Sequence, residues 1–283
     1  VPAAAVSPIE DVLARDCMAV SSFLDEGAGR AGGALRVEGV TGAEPDPKSL
    51  AKRLAKALGG LGLEAPAVEI EPLPPRDWVA ENLKDFPPLR VGRYFIHGSH
   101  VPGPAPSGSV AIRLDAGTAF GSGEHPSTAG CLRALDRLAR ERRFRRPLDM
   151  GCGSGILALA MAKTWRVPVV ASDIDDRAVG ATALNARVNG VRPLVRTARG
   201  PGYRAPAVQR GGPYDLVCAN ILAGPLCRMA GDLDRCLARP GVAVLSGFLD
   251  RDGPRVVARH RPFGLSLVRA VTIDGWRTVV LAR

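Results

Sequence analysis

The chain has 283 residues, long enough for two domains, with an ordinary apolar content of 46% and sparse aromatics at 5%. No apolar run approaches the ~18 residues of a membrane span, and the stretch Val1-Pro2-Ala3-Ala4-Ala5-Val6 lacks the charged-then-apolar pattern of a secretory signal, so a cytoplasmic location is expected. Six scattered cysteines without a Cys-x-x-Cys pair argue against a structural zinc and for reduced thiols. The net charge of +10 is almost entirely arginine. Its densest run, residues 137–146, falls at the end of a predicted helix, where cations suit the macrodipole, with a phosphate or RNA contact as the alternative reading.

Residues 1–72 read as a small α+β unit. A short helix is expected over 8–16 and a strand over 17–24. An alternating strand over 35–40 follows, then an amphipathic helix over 47–58 with Leu50, Leu54 and Leu58 on one face, and a closing strand over 68–71. The unit carries no catalytic motif, so binding or scaffolding is its expected role. Residues 73–110 are rich in Pro and Gly and read as a linker, with a helical piece near Asp77-Trp78 and a strand over 93–97. His97 and His100 fall on a strand end and loop with no third ligand nearby, so no metal is expected.

From residue 111 the pattern is α/β to the end of the sequence. A strand ending at Asp115 enters a Gly/Ser/Thr-rich loop over 116–128, whose free backbone donors before a helix suit an anionic group. A helix over 127–142 follows, then a strand, a glycine turn and a helix over 156–163. The next elements are a strand over 169–173, a helix over 176–188 and a weak strand over 194–197. Residues 199–213 read as loose. Strands over 214–220 and 241–247 come next, then a closing pair over 265–272 and 276–281 joined by the turn Ile273-Asp274-Gly275.

The organising stretch is Asp149-Met150-Gly151-Cys152-Gly153-Ser154-Gly155. A dinucleotide fold wants G-x-G-x-x-G, and the position of its third glycine is Ile156 here, which disfavours a dehydrogenase. Asp173 ends the next strand 22 residues past Gly151, an offset at which a carboxylate can accept hydrogen bonds from both ribose hydroxyls. Together they point to a nucleoside-type cofactor. Asn220 falls at the C-terminal end of a strand, where open α/β sheets bind substrate, and its side-chain oxygen can accept an amine N–H; capping the following helix is the alternative.

The spacing Asp149-x-Gly151-x-Gly153-x-Gly155 resembles the S-adenosylmethionine loop of class I methyltransferases. Further segments stand out: Arg76-Asp77-Trp78-Val79, Asp115-Ala116-Gly117-Thr118-Ala119-Phe120-Gly121-Ser122-Gly123-Glu124-His125-Pro126-Ser127-Thr128, Ala171-Ser172-Asp173-Ile174-Asp175 and Ala219-Asn220-Ile221-Leu222-Ala223-Gly224-Pro225-Leu226. With the glycine loop they make the chain from about residue 75 onward similar to the ribosomal-protein methyltransferase family, PrmA.

The resemblance implies a doubly wound seven-stranded sheet with the last pair antiparallel, spanning 111–283, behind a small ferredoxin-like domain. It implies S-adenosylmethionine as cofactor, and transfer of methyl groups to lysine and N-terminal amines of protein eleven of the large ribosomal subunit. Thr128, Gly151, Gly153, Asp173, Asn220 and Phe120 are the expected cofactor contacts, and Asn220 with His125 the expected catalytic pair. The loop departs from the family in reading Gly-Ser-Gly and Pro-Ser-Thr, with a hydroxyl kept at each position. The implied substrate is itself basic, so a chain of net charge +10 must recognise it through a local acidic or apolar patch. A methyltransferase acting on another protein, or on nucleic acid through the arginine run, is the rival reading; base-amine enzymes often carry Asn-Pro-Pro-Tyr where this chain has Asn220-Ile221-Leu222-Ala223.

Overall fold

The computed structural model describes all residues except 15, 18, 25–34, 43, 72–86 and 116–124, and omits the side chains of 3, 19, 23 and 24. The chain divides into two units, Val1–Arg76 and Asp77–Arg283.

In the first unit, α1 (Ala3–Leu13) and α2 (Pro47–Gly59) flank an antiparallel pair, β1 (Ala19–Leu24) and β2 (Leu35–Val40). Asp46 caps α2 by accepting from the Lys48 N–H at 3.0 Å, and Pro47 supplies a preset φ at the first helical position. Leu50, Leu54 and Leu58 then meet Ala5, Ile9 and Val12 of α1 in one apolar cluster. Helix α1 begins earlier than the position of Pro8 suggests, because Ala5, Ile9 and Val12 form one continuous buried stripe with Pro8 inside the helix. The strand expected over 68–71 is not formed: the alternation is present, but among the described residues no neighbouring strand supplies its ladder, and Ile70 is exposed.

In the second unit, β3 (Leu89–Val91), β4 (Tyr94–His97) and β5 (Val110–Arg113) form a small sheet. The stretch expected as a linker, 73–110, therefore carries two full strands and the start of a third that belong to this unit. The little sheet is fastened to two helices of the main fold, α4 (Ile156–Trp165) and α5 (Asp176–Val188). The Tyr94 hydroxyl hydrogen-bonds Thr164 Oγ1 at 3.0 Å, and Lys163 Nζ donates to the Ala111 carbonyl at 2.6 Å. Asn189, just past α5, grips β5 from both sides, accepting from the Arg113 N–H and donating to its carbonyl. These ties fix β5 against the main fold.

The main sheet contains β6 (Pro147–Met150), β7 (Val169–Asp173), β8 (Val195–Arg199), β9 (Tyr214–Asn220), β10 (Leu237–Leu249), β11 (Ser266–Ile273) and β12 (Trp276–Ala282), in the order β11-β12-β10-β9-β6-β7-β8. The five strands from β10 to β8 are parallel, and β12 runs antiparallel to both β10 and β11, so the last pair is antiparallel as the family resemblance implies. Strand order reverses at β6, so β7 and β9 diverge from it and open a crevice at their C-terminal ends, the general ligand position in such sheets.

Each sheet face has its own apolar core. On one face lie α3 (Pro126–Glu141), α4 and α5; α4 is buried from Ile156 to Ala162, which accounts for its lack of a polar stripe. On the other face lie α6 (Pro206–Gly211), α7 (Ala223–Arg228), α8 (Ala230–Cys236) and α9 (Gly253–His260). Residues 199–213, expected to be loose, instead form a 3-10 turn and α6, because Tyr203, Ala205 and Val208 are all buried under the sheet. Among the described residues no helix is long and apolar enough to cross a membrane.

Candidate active site

The crevice is built on the glycine turn between β6 and α4. Gly151, Gly153 and Gly155 all have left-handed φ, at 72°, 53° and 83°. Space is as restrictive as torsion: a Cβ at 151 would stand 2.3 Å from Ile221 Cγ2, and one at 155 would stand 2.7 Å from Thr182 Cγ2. The turn is tied to β7 by the Gly151 and Cys152 N–H groups, which donate to the Ser172 carbonyl. It is tied to α5 by the Thr182 hydroxyl, which donates to the Gly153 carbonyl at 3.0 Å, and by Asn185 Nδ2, which donates to the Ser154 carbonyl at 2.8 Å.

Asp149 is fully buried and holds the other side of the turn. Gly155 begins α4 without a side chain to cap it, and Asp149 Oδ2 takes that role by accepting from the Ala158 N–H at 2.9 Å. Its Oδ1 is buried without a hydrogen-bond partner among the described residues. Burial pushes this carboxyl up to about 7, against the lowering effect of the Ala158 donor and with the nearby charge of Asp173 adding to the rise.

Asp173 ends β7 at the rim. Oδ2 accepts from the Gly153 N–H at 3.0 Å and Oδ1 from the Asp175 N–H at 3.1 Å, so two loops hold the carboxylate rigid. Each oxygen keeps lone-pair capacity toward the crevice. The next residue, Ile174, is 72% exposed, an apolar side chain left at the rim.

Across the crevice, Asn220 ends β9. Its Nδ2 donates to Thr128 Oγ1 at 3.2 Å, while Oδ1 is buried and, among the described residues, unpartnered. Thr128 is fully buried in the first turn of α3. His125 caps that helix: Nδ1 faces the Ser127 N–H at 3.3 Å and the Ser127 hydroxyl at 2.8 Å, and the ring packs edge-on against Trp276 with centroids 4.4 Å apart. Burial lowers the His125 pKa, which keeps the ring neutral and Nδ1 an acceptor.

The sequence singled out Thr128, Gly151, Gly153, Asp173, Asn220 and His125, and all six line this crevice or its α3 wall; Phe120 lies outside the described residues. A buried network that the sequence motifs do not announce lies behind the wall. The Ser246 hydroxyl on β10 contacts the Thr278 hydroxyl at 2.7 Å and lies within hydrogen-bonding reach of the carbonyls of Arg277, at 3.2 Å, and Ser127, at 3.3 Å, which share its single proton. Ser246 pairs in register with Asn220, and its carbonyl accepts from the Ile221 N–H at 3.0 Å. One serine thus links the strand carrying Asn220 to the helix carrying Thr128. Ser246-Gly247 at a strand end was the available signal. Among the described residues no group of three or more His, Cys, Asp or Glu is arranged to hold a metal.

The profile described as ribosomal protein L11 methyltransferase (PrmA) matches residues 9–283. A protein of that name from Mesorhizobium japonicum is 42% identical over 239 residues, covering 84% of this chain and 82% of its own. Another from Rhizobium meliloti is 43% identical over 238 residues, covering 84% and 81%. The crystal structure of a ribosomal protein L11 methylase from Lactobacillus delbrueckii subsp. bulgaricus superposes with a TM-score of 0.60 at 27% identity, covering 68% of this chain and 95% of that one. With a matching profile over nearly the whole sequence and relatives above 40% identity, the chain belongs to the ribosomal protein L11 methyltransferase (PrmA) family.

Proposed function

We propose that this protein transfers methyl groups from S-adenosylmethionine to amino groups, lysine side chains and the N-terminal amine, of ribosomal protein L11. The observation that carries the reading is the Oδ1 of Asn220 at the crevice, buried and without a partner among the described residues. An orphaned acceptor at a strand end is costly unless a ligand donor completes it, and an amine N–H does so.

The crevice suits the proposed cofactor. The carboxylate of Asp173 is fixed by two backbone donors and can accept from two vicinal hydroxyls, as a ribose presents them. Ile174 offers an apolar face to a base, and the glycine turn leaves room for close backbone approach. When bound, S-adenosylmethionine supplies an electrophilic methyl group, so the protein's part is alignment and exclusion of water.

The chain's own residues perform that alignment. Thr128 holds the Asn220 amide by its Nδ2, which turns Oδ1 toward the incoming amine. A neutral amide orients an amine while stabilising its protonated form far less than a carboxylate would. The distinction matters because keeping a lysine neutral at pH 7.4 costs about 4 kcal/mol from its ordinary pKa. Leu222, 68% exposed two residues beyond Asn220, gives the aliphatic stem of a lysine an apolar track and disfavours the charged amine beside it. His125, with Nδ1 engaged at the cap, acts as an anchor for the α3 wall.

The test is transfer of labelled methyl from S-adenosylmethionine into purified L11, with an unrelated basic protein and RNA as competing acceptors. Label confined to L11 amines is expected; label in RNA, or in neither, would end the assignment.

A further inference from the structure

The edge of the sheet opposite the crevice has a different chemistry. Four segments feed the N-terminal ends of adjacent strands there: residues 142–147 before β6, 164–169 before β7, 189–196 before and into β8, and 205–214 before β9. Together they contain eight arginines and no Asp, Glu or Lys. Every one of the eight is exposed, and among the described residues none forms an ion pair. Composition alone does not account for this, since elsewhere the arginines of this chain repeatedly find carboxylates: Arg93 and Arg140 share Asp136, Arg204 and Arg235 share Asp232, and Arg283 and Arg239 share Asp234. Two acids adjoin these segments in sequence: Glu141 pairs with Arg137 and Arg269, and Asp215 has its two oxygens occupied by the Arg145 and Arg146 backbone N–H groups.

Charges from different segments converge. Burial, with Cys236, lifts the Tyr214 phenol to about 12, and both Arg196 and Arg146 pull against that rise, so two segments act on one buried ring. Four neighbouring strands spaced ~4.8 Å apart make the edge roughly 15 Å wide, enough for several consecutive phosphates of a nucleic-acid strand. Phe144, the aromatic of the densest segment, is buried under the Arg142 guanidinium at 4.7 Å and is not offered to a base.

We propose that this edge binds RNA through its phosphate backbone, without base readout, on the face of the sheet's rim away from the methyl-transfer crevice. Arginine throughout, with no lysine, favours phosphate, whose oxygens accept from the planar fork two at a time. The edge has no exposed large apolar side chain to enter a lipid layer. Unpaired like charges this dense repel one another, and a polyanion relieves that repulsion. This binding does not depend on the identity of the methyl acceptor.

The experiment is fluorescence anisotropy of the full chain with a labelled single-stranded RNA of about twenty nucleotides, at about 50 and 200 mM salt. Affinity should fall more than tenfold across that salt range. The variant R142Q/R143Q/R145Q/R146Q should bind at least tenfold more weakly, with a shallower salt dependence and unchanged methyl transfer. A second variant on the other segments, R166Q/R192Q/R196Q, should weaken binding likewise, which guards against an effect of Arg142 on Phe144 packing. A control on and beside α9, R251Q/R255Q/R259Q, should leave it within about twofold. RNA binding that is absent, insensitive to salt, unaffected by either edge variant or equally reduced by the control overturns the proposal. So does tighter binding of polyglutamate or of phosphatidylserine vesicles than of RNA.

Discussion

Asn220 and Thr128, 92 residues apart in sequence, meet through a 3.2 Å hydrogen bond from amide nitrogen to hydroxyl oxygen. That bond decides which atom of the asparagine faces the crevice: with Nδ2 committed to the wall, the acceptor Oδ1 is what remains. The wall is itself held by Ser246, so strand, helix and hairpin converge on the orientation of one amide.

Asn220→Ala removes the acceptor and should lower kcat by about a hundredfold, the scale of a misaligned reactant, with a much smaller change in S-adenosylmethionine affinity. Thr128→Val keeps the shape but frees the amide to rotate, and should lower kcat by roughly tenfold. Steady-state kinetics alongside calorimetry separates the two quantities; equal losses in kcat and cofactor affinity would contradict the assigned role.

Asp173→Ala should weaken S-adenosylmethionine binding by about ten- to a hundredfold, as expected for loss of hydrogen bonds to a charged acceptor worth ~1.5–3 kcal/mol. The same change releases the Gly153 N–H. Isothermal titration measures the affinity, and hydrogen exchange at residues 151–155 reads the loosened turn.

Gly151→Ala meets two obstacles, a φ of 72° and a Cβ placed 2.3 Å from Ile221 Cγ2. The torsional part alone is ~1–2 kcal/mol. The expected result is a lowered Tm, partly recovered in the double variant Gly151→Ala/Ile221→Ala, because truncating the isoleucine relieves the contact and leaves the torsion. Full recovery would show that torsion contributes nothing.

His125→Asn separates anchoring from proton transfer. Asparagine is a strong N-cap, so activity should stay within about tenfold of the parent. His125→Ala, which cannot accept from Ser127, should lose more activity together with about 1 kcal/mol of stability. A comparable collapse in both variants would instead mark the imidazole as a proton acceptor.

Asp149 makes stability depend on pH. Its folded carboxyl titrates near 7 because of burial, above the ordinary 3.8. Below the ordinary value both states are protonated and its contribution is fully present; as pH rises to about 7 the unfolded state ionises first, and that contribution is progressively lost. Asp149→Asn keeps an acceptor for Ala158 without a titrating charge. Its Tm relative to the parent should therefore climb by several degrees between pH 5 and pH 8, measured by calorimetry; a constant difference would refute the shift.

The parts of the site readable in advance were those set by local chain geometry. The glycine turn needs left-handed torsions that only its own sequence can announce, and Asp173 follows from the length of one strand-helix-strand unit. The Ser246 network could not be read this way, because a serine in a buried strand has no meaning until β12 and α3 arrive beside it. Residues 199–213 misled for a related reason: α6 spans six residues, too few to display a period, and its place is set by Tyr203 and Val208 packing beneath the sheet. At 68–71 the alternation was real, but a pattern cannot supply a partner strand.

The edge-on packing of Trp276 against His125 gives the molecule an intrinsic optical probe. Of the three tryptophans, Trp165 is enclosed against Phe144 in the core, whereas Trp276 sits at the tip of the terminal hairpin beside the cap of α3. Light emitted by that indole will register changes at the cap, so ligand entry can be followed in real time on the unlabelled protein.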